Sequence, residues 1–257
     1  MQNNIFSGLF VAQKLVTLKE VDSTNTYLKN ILANSTPVPE GTVIMAESQY
    51  AGRGQQQNRW YSSTGESLAF SILLNPAFLK PDQQFDLTRA ISLGIHEALV
   101  PLLGEAVKIK WPNDVYVDKR KMGGILIENT IRGNAIKHSI IGIGLNINQD
   151  NFPEWVPNAV SLKQILHKDY DLKALLFELC AGIESWYIKL RAGETSLIRE
   201  RYLQALYRYN EPALYTAAGE VFEGTITTVT DNGLLKVVHE QKPHLYNLKE
   251  IEFLHNH

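Results

Sequence analysis

Gln49-Tyr50-Ala51-Gly52-Arg53-Gly54-Gln55-Gln56-Gln57-Asn58-Arg59-Trp60 is the stretch around which the rest of the chain is organised. Residues 42–47 before it (TVIMAE) and residues 67–74 after it (SLAFSILL) read as strands. Two strands joined by a long glycine-containing connection predict a hairpin with a functional loop. Gly52 and Gly54 allow a sharp turn and a close approach to a ligand, because no Cβ intervenes. Arg53 between them offers a planar fork of donors suited to a phosphate or carboxylate. A polar surface loop is the plain alternative.

Upstream, residues 9–19 read as a strand. Asp22-Ser23-Thr24 then offers helix N-caps for a short amphipathic helix carrying Leu28, Ile31 and Leu32. Ser23, Thr24 and Asn25 could be caps alone, yet the free N–H groups of a helix start also seat polar ligand ends. Downstream, Leu87, Ile91, Ile95, Leu99 and Leu102 share one face of a helix over 85–103, where His96 is given no role. Short strands are expected at 106–110, 116–117, 122–130 and 139–147, the last interrupted by Gly142 and Gly144. Glycine within a strand marks close approach of a backbone or ligand. Helices are expected at 161–167, 172–190 and 196–209.

From residue 211 the chain changes character. Short strands at 213–216, 221–230, 234–239, 245–247 and 251–254, with an Asp231-Asn232-Gly233 turn, predict a small β-barrel. The expected organisation is α+β: a mixed-sheet domain packed with helices over 1–210, then a small C-terminal β-barrel over 211–257.

The chain has 257 residues, 44% hydrophobic and 20% charged, with net charge −2. This is ordinary globular composition, and no basic excess points to nucleic acid. The one cysteine, Cys180, cannot form an internal disulfide and falls at an apolar helical position. Residues 1–10 carry no export signal, and no apolar run approaches the ~18 residues of a membrane span. A cytoplasmic protein without membrane association is expected.

A second run joins the glycine loop: Lys110-Trp111-Pro112-Asn113-Asp114, then Lys121-Met122-Gly123-Gly124-Ile125-Leu126-Ile127-Glu128. With Asp22-Ser23-Thr24-Asn25 and Gly142-Ile143-Gly144-Leu145-Asn146-Ile147-Asn148, these segments resemble the biotin protein ligases in content and order, over about residues 15 to 150. The resemblance implies a fold like that of class II synthetases and biotin–lipoate ligases. It also implies an ATP-dependent reaction in two steps. Biotin is activated as biotinyl-5'-AMP, then transferred to a lysine of a biotin carboxyl carrier domain.

By motif position, the resemblance assigns Ser23, Thr24, Asn25, Gln49 and Gly124 to biotin. It assigns Arg53, Gly54 and Lys121 to the carboxylate and adenylate phosphate. Gln55 is counted with the biotin contacts. Trp60, Lys110, Asn113 and Asn146 fall on the nucleotide side with Arg53 and Lys121. Arg53, Lys110, Asp114 and Lys121 are the expected catalytic set, supplying cations where two anions must meet. Asp114 is the candidate ligand for Mg2+; orienting Lys110 or deprotonating the acceptor lysine are its alternatives. Trp111 reads as core packing.

Two departures stand out. Many family members carry basic residues directly after the glycine–arginine–glycine triplet, where this chain has Gln55 and Gln56, so its retention of the adenylate is in question. Some members also carry an N-terminal DNA-binding domain of some 60 residues. Here the first motif begins at Asp22, so no role with DNA is expected. The strands over 110–147 could pair edge to edge in a homodimer. The rivals are a lipoate protein ligase, whose arginine-serine-glycine-glycine loop and histidine-aspartate pair are not found here, a non-catalytic biotin-binding regulator, and a nucleic-acid-binding β-barrel.

Overall fold

A computed structural model describes residues 10–34, 37–55, 58–156 and 158–254. Gln56 and residues 1–9, the bulk of the stretch read as lacking an export signal, lie outside the described residues.

The elements run β1 (Leu15–Val21), α1 (Thr24–Ala33), β2 (Val43–Gln49), β3 (Ser67–Leu74), α2 (Gln84–Leu103), β4 (Val107–Lys110), β5 (Asp114–Val117), β6 (Arg120–Arg132) and β7 (Ala135–Asn146). Then come α3 (Leu162–Leu166), α4 (Leu172–Arg191), α5 (Thr195–Ala205), β8 (Pro212–Ala217), β9 (Glu220–Val229), β10 (Leu235–His239), β11 (Lys242–Tyr246) and β12 (Glu252–Phe253). Seven strands form a mixed sheet in the order β1-β2-β3-β7-β6-β5-β4, in which β1 and β2 are parallel and the other neighbours antiparallel.

The two-residue period of the strands sorts the core. Val43, Ile72, Leu74, Ile141, Ile143 and Leu145 belong to the large apolar cluster shared with α2 and α4. Ile44, Leu73 and Ile140 point the other way and pack with Leu28 of α1. The expected hairpin is present, with Val43 opposite Ile72 and Ala46 opposite Ala69. Cys180 is buried as expected, and its thiol is pushed up to about 12 by burial.

Some expectations need correcting. The first strand begins at Leu15, because Ala12 adopts a left-handed φ of 66° and ends any earlier extension. Ser23 holds the N-cap position of α1 without a side-chain capping bond. The last helix stops at Ala205: Leu206 turns extended and is buried beside Ile109, and Tyr207 N donates to Ile109 O.

The C-terminal strands form an open five-stranded sheet in the order β11-β10-β9-β8-β12, not a closed barrel. Closure would require β11 to bond β12, but β12 has two residues and pairs with β8. Closure is also unnecessary. Ile226, Val229, Leu235, Val237 and Ile251 bury themselves in the same apolar cluster as the main sheet, so the larger body covers the face a barrel would have enclosed.

Candidate active site

On the face of the main sheet opposite α2 and α4, small residues stand in adjacent rows. Ala69, Gly144 and Gly124 are neighbours across three strands, and in the next row Ser71 and Gly142 are followed by the larger Leu126. The absence of side chains at Gly124, Gly142 and Gly144 lowers the floor of a cavity of about 630 Å³, a size common for small-molecule sites. A methyl group on Gly142 would collide with the Asn25 carboxamide, and one on Gly144 with the Trp60 ring.

One end of the cavity is polar and uncharged. The start of α1 puts Ser23, Thr24 and Asn25 there, all buried. Gln49, at the end of β2, accepts from Thr24 N at 2.8 Å and lies 3.2 Å from Thr24 Oγ1. Ser71 Oγ lies 2.6 Å from both Thr24 Oγ1 and Asn25 Oδ1. Asn25 Nδ2 donates to Glu128 Oε2 at 2.8 Å, which leaves its Oδ1 to accept from Ser71. The result is a set of amides and hydroxyls whose orientations are mutually fixed.

The glycine loop forms the adjoining rim. Gly54 N donates to Asn58 O and Trp60 N to Gly52 O, closing the loop on itself. A Cβ on Gly52 would stand 2.5 Å from Trp60 O, so this approach requires glycine. The Trp60 ring lies against the floor at Gly144, and its buried Nε1 has no partner among the described residues. Arg53 pairs with Glu128, Nη2 to Oε2 at 3.1 Å. Gln55 and Arg59 also line the cavity.

The other end holds the remaining cations. Lys110, at the end of β4, donates to Tyr116 OH at 3.0 Å and sits over the rings of Tyr116 and Phe253, 4.7 and 4.9 Å from their centroids. Burial lowers its pKa, Asp114 opposes that, and Lys121 and Arg208 reinforce it. Lys121 Nζ lies 2.6 Å from Asp114 Oδ1. Asp114 therefore pairs with Lys121, whereas Lys110 meets a neutral hydroxyl. Asn113 is buried and donates to Ile125 O. Trp111 is buried with Nε1 on Gly233 O at 2.9 Å, the packing role expected of it.

The structure thus brings Ser23, Thr24, Asn25, Gln49, Arg53, Gly54, Gln55, Trp60, Lys110, Asn113, Asp114, Lys121 and Gly124 around one cavity. Asn146 is not among its lining residues; it is buried at the end of β7 and accepts from Gln149 Nε2 at 3.1 Å. The sequence reading gave no role to Glu128, Ser71, Tyr116 or Phe253. Leu248, Lys249, Ile251 and Glu252 line the cavity together with Phe253, so the C-terminal sheet supplies one wall. No cluster of three metal-ligating side chains occurs among the described residues.

Comparison with known proteins places the chain among relatives. The bifunctional ligase/repressor BirA of Bacillus spizizenii is 30% identical over 181 residues, covering 69% of this chain and 54% of that protein. BirA of Bacillus subtilis is 35% identical over 162 residues, covering 61% and 48%. The chain thus spans about half the length of these curated relatives. The biotin protein ligase from Aquifex aeolicus in complex with biotin and ATP superposes with a TM-score of 0.78 at 27% identity, covering 95% of this chain and 100% of that one. The sequence profile of the biotin/lipoate A/B protein ligase family matches residues 17–146, just over half the chain and the span that carries both motif runs. The chain belongs to the biotin/lipoate A/B protein ligase family.

Proposed function

We propose that the protein is an ATP-dependent biotin–protein ligase. It activates biotin as biotinyl-5'-AMP and transfers it to a lysine of a biotin carboxyl carrier domain. The observation that carries this reading is a cavity with oriented amides and hydroxyls at one end, cations at the other and a glycine floor between them. The likeness to the Aquifex aeolicus enzyme in complex with biotin and ATP supports it.

A ureido group offers a carbonyl acceptor and two N–H donors, which suits Ser23, Thr24, Asn25 and Gln49. The acid's carboxylate oxygen attacks the α-phosphorus of ATP, and the bond to pyrophosphate breaks. Both partners are anionic, so Arg53 and Lys121 bring them together and Lys110 neutralises charge on the nucleotide side. In the second step an amine attacks the acyl carbon, AMP departs, and the amine gives up a proton. Acceptance of that proton by Asp114, a carboxylate on the cavity wall, is the alternative to its holding a metal ion. Trp60 and the glycine loop keep water from the anhydride.

A magnesium ion fits the donor set. Mg2+ keeps waters and is bound through one or two carboxylates plus phosphate oxygens, and Asp114 is one such carboxylate on the cavity wall. Asp114 would hold it, and the ion would supply charge neutralisation on the phosphates. The division into a catalytic domain over 1–210 and a C-terminal sheet domain over 211–257 belongs to the same reading, as does a cytoplasmic setting. Edge-to-edge pairing of two copies would use β4, the outer strand, where Ile109 O is already bonded by Tyr207 N.

Incubation with ATP, magnesium and either biotin or lipoate, following pyrophosphate release and carrier labelling, tests the proposal. Turnover with biotin and carrier labelling is expected; turnover with lipoate alone would overturn it.

A further inference from the structure

Glu128 has no part in the chemistry above, yet one of its oxygens is shared by the two sides of the cavity. Its Oε2 accepts from Asn25 Nδ2 at 2.8 Å and from Arg53 Nη2 at 3.1 Å. Oε1 lies 3.4 Å from the same guanidinium nitrogen. Strand period places it there: Glu128 follows Gly124 and Leu126 on the cavity face of β6, opposite Ile140, with Gly142 two residues further along β7. The Arg53 and Glu128 side chains are 44% and 28% exposed, so water competes for the contact and the ion pair is weak. The pattern recurs at the other end, where Asp114 holds Lys121. In both places a cation suited to a ligand anion is engaged by a carboxylate of the chain itself.

We propose that Glu128 is an internal counter-anion. It holds Arg53 against the sheet until the carboxylate or phosphate of a ligand displaces it, and it keeps Asn25 oriented throughout. The ligase reading supplies the identity of the displacing anion, whereas the engagement of Arg53 stands without it. An anionic ligand must compete with Glu128 for Arg53, so its apparent affinity falls by the fraction of Arg53 already held. A neutral ligand of the same shape meets no such competition. Glu128 thus acts as a positioning residue that sets how strongly the site prefers anions. Its two roles are separable: Glu128→Gln keeps a carbonyl oxygen for Asn25 Nδ2 and removes the charge facing Arg53, and Glu128→Ala removes both.

Two measurements decide the matter. In the ligand-free protein, tryptic cleavage of the Arg53–Gly54 bond is followed by mass spectrometry. Cleavage about twofold to fivefold faster in Glu128→Gln than in the unaltered chain is expected, the range an exposed ion pair commands. That ratio approaches one in about 1 M salt, where exposed charges are screened. Calorimetry then compares biotin with its neutral alcohol analogue, biotinol. Glu128→Gln binds biotin about twofold to fivefold more tightly and biotinol unchanged, whereas Glu128→Ala binds both more weakly. Equal cleavage in the two proteins, or equal loosening of both ligands in Glu128→Gln, would overturn the proposal. Faster cleavage with no biotin binding in any protein would remove the ligase reading and leave the counter-anion in place.

Discussion

Of the arginines that meet a carboxylate, Arg89 and Arg53 do opposite things. Arg89 and Asp86, both 1% exposed, join α2 to the C-terminal sheet. Arg89 Nη2 also donates to Val229 O at 2.9 Å and Thr230 O at 2.6 Å, and its guanidinium lies over Phe85 and Tyr202. Asp86 is further held by Arg199, which reaches Asp231 at 2.8 Å. Arg53 meets Glu128 through a single guanidinium nitrogen at the rim, partly in water. Burial sets the difference. A charge removed from water is trapped by its partners, because breaking the pair leaves an uncompensated ion. A charge at the rim exchanges partners at little cost. The buried pair is a fixture, which holds the 229–233 turn that in turn anchors Trp111 at the cavity wall. The rim pair is suited to exchange.

The contrast breaks most visibly at Arg89. Arg89→Met should lower stability by about 3 kcal/mol, since it strips Asp86 of one partner and takes a charged donor from the carbonyl groups of Val229 and Thr230. Urea unfolding measures this. Adding Asp86→Asn should recover part of the loss through non-additivity. A change within about 0.5 kcal/mol, the level of an ordinary surface substitution, would place Arg89 in the same class as Arg53.

Arg53→Ala should do the reverse, cutting pyrophosphate release about 10²-fold while shifting the urea midpoint within the noise of a surface change. Unchanged turnover would remove Arg53 as the anion clamp. Gly142→Ala should have a smaller and more selective effect. Its methyl collides with the Asn25 carboxamide and so disturbs the bonds to Ser71 and Glu128. Biotin binding should weaken about tenfold, the equivalent of one hydrogen bond, with ATP affinity unchanged. Equal weakening of both ligands would show that the floor, not Asn25, is what the glycine protects.

The hairpin around the glycine loop was legible in the sequence because its strands are apolar runs interrupted by glycine and glutamine. The long helices were legible because Leu87, Ile91, Ile95 and Leu99 repeat at helical spacing. The gathering of the polar and cationic residues was legible only through the resemblance, since Asn25 and Gly142 meet by a packing that no local pattern encodes. Glu128 escaped because its role depends on register. Only when β6 pairs with β7 does period two put it beside Asn25, although its spacing from Gly124 was a usable signal. Asn146 enters the expected site through its motif alone; at the end of β7 its Oδ1 accepts from Gln149 Nε2. The open C-terminal sheet could not be told from a barrel, because strand count and length are alike in both. What separates them is the larger body that covers one face.

Lys110 lies between the two extremes. It is more buried than Arg53 and has only a hydroxyl and two aromatic faces for company. Burial lowers its pKa below the ordinary 10.5 despite Asp114. Between the lowered value and 10.5 the unfolded chain binds more protons than the folded one, so stability rises with pH across that window. Below the window the charged form opposes folding. Lys110→Met keeps the stem and removes the charge, so it should resist urea better than the unaltered protein at pH 7. The advantage should shrink as pH climbs towards 10 and the native lysine gives up its proton. The same variant should lose turnover at every pH, because the cation facing the nucleotide is gone. A less stable Lys110→Met at pH 7 would mean that the contacts with Tyr116 and Phe253 outweigh the burial of charge, placing Lys110 with Arg89 among the fixtures.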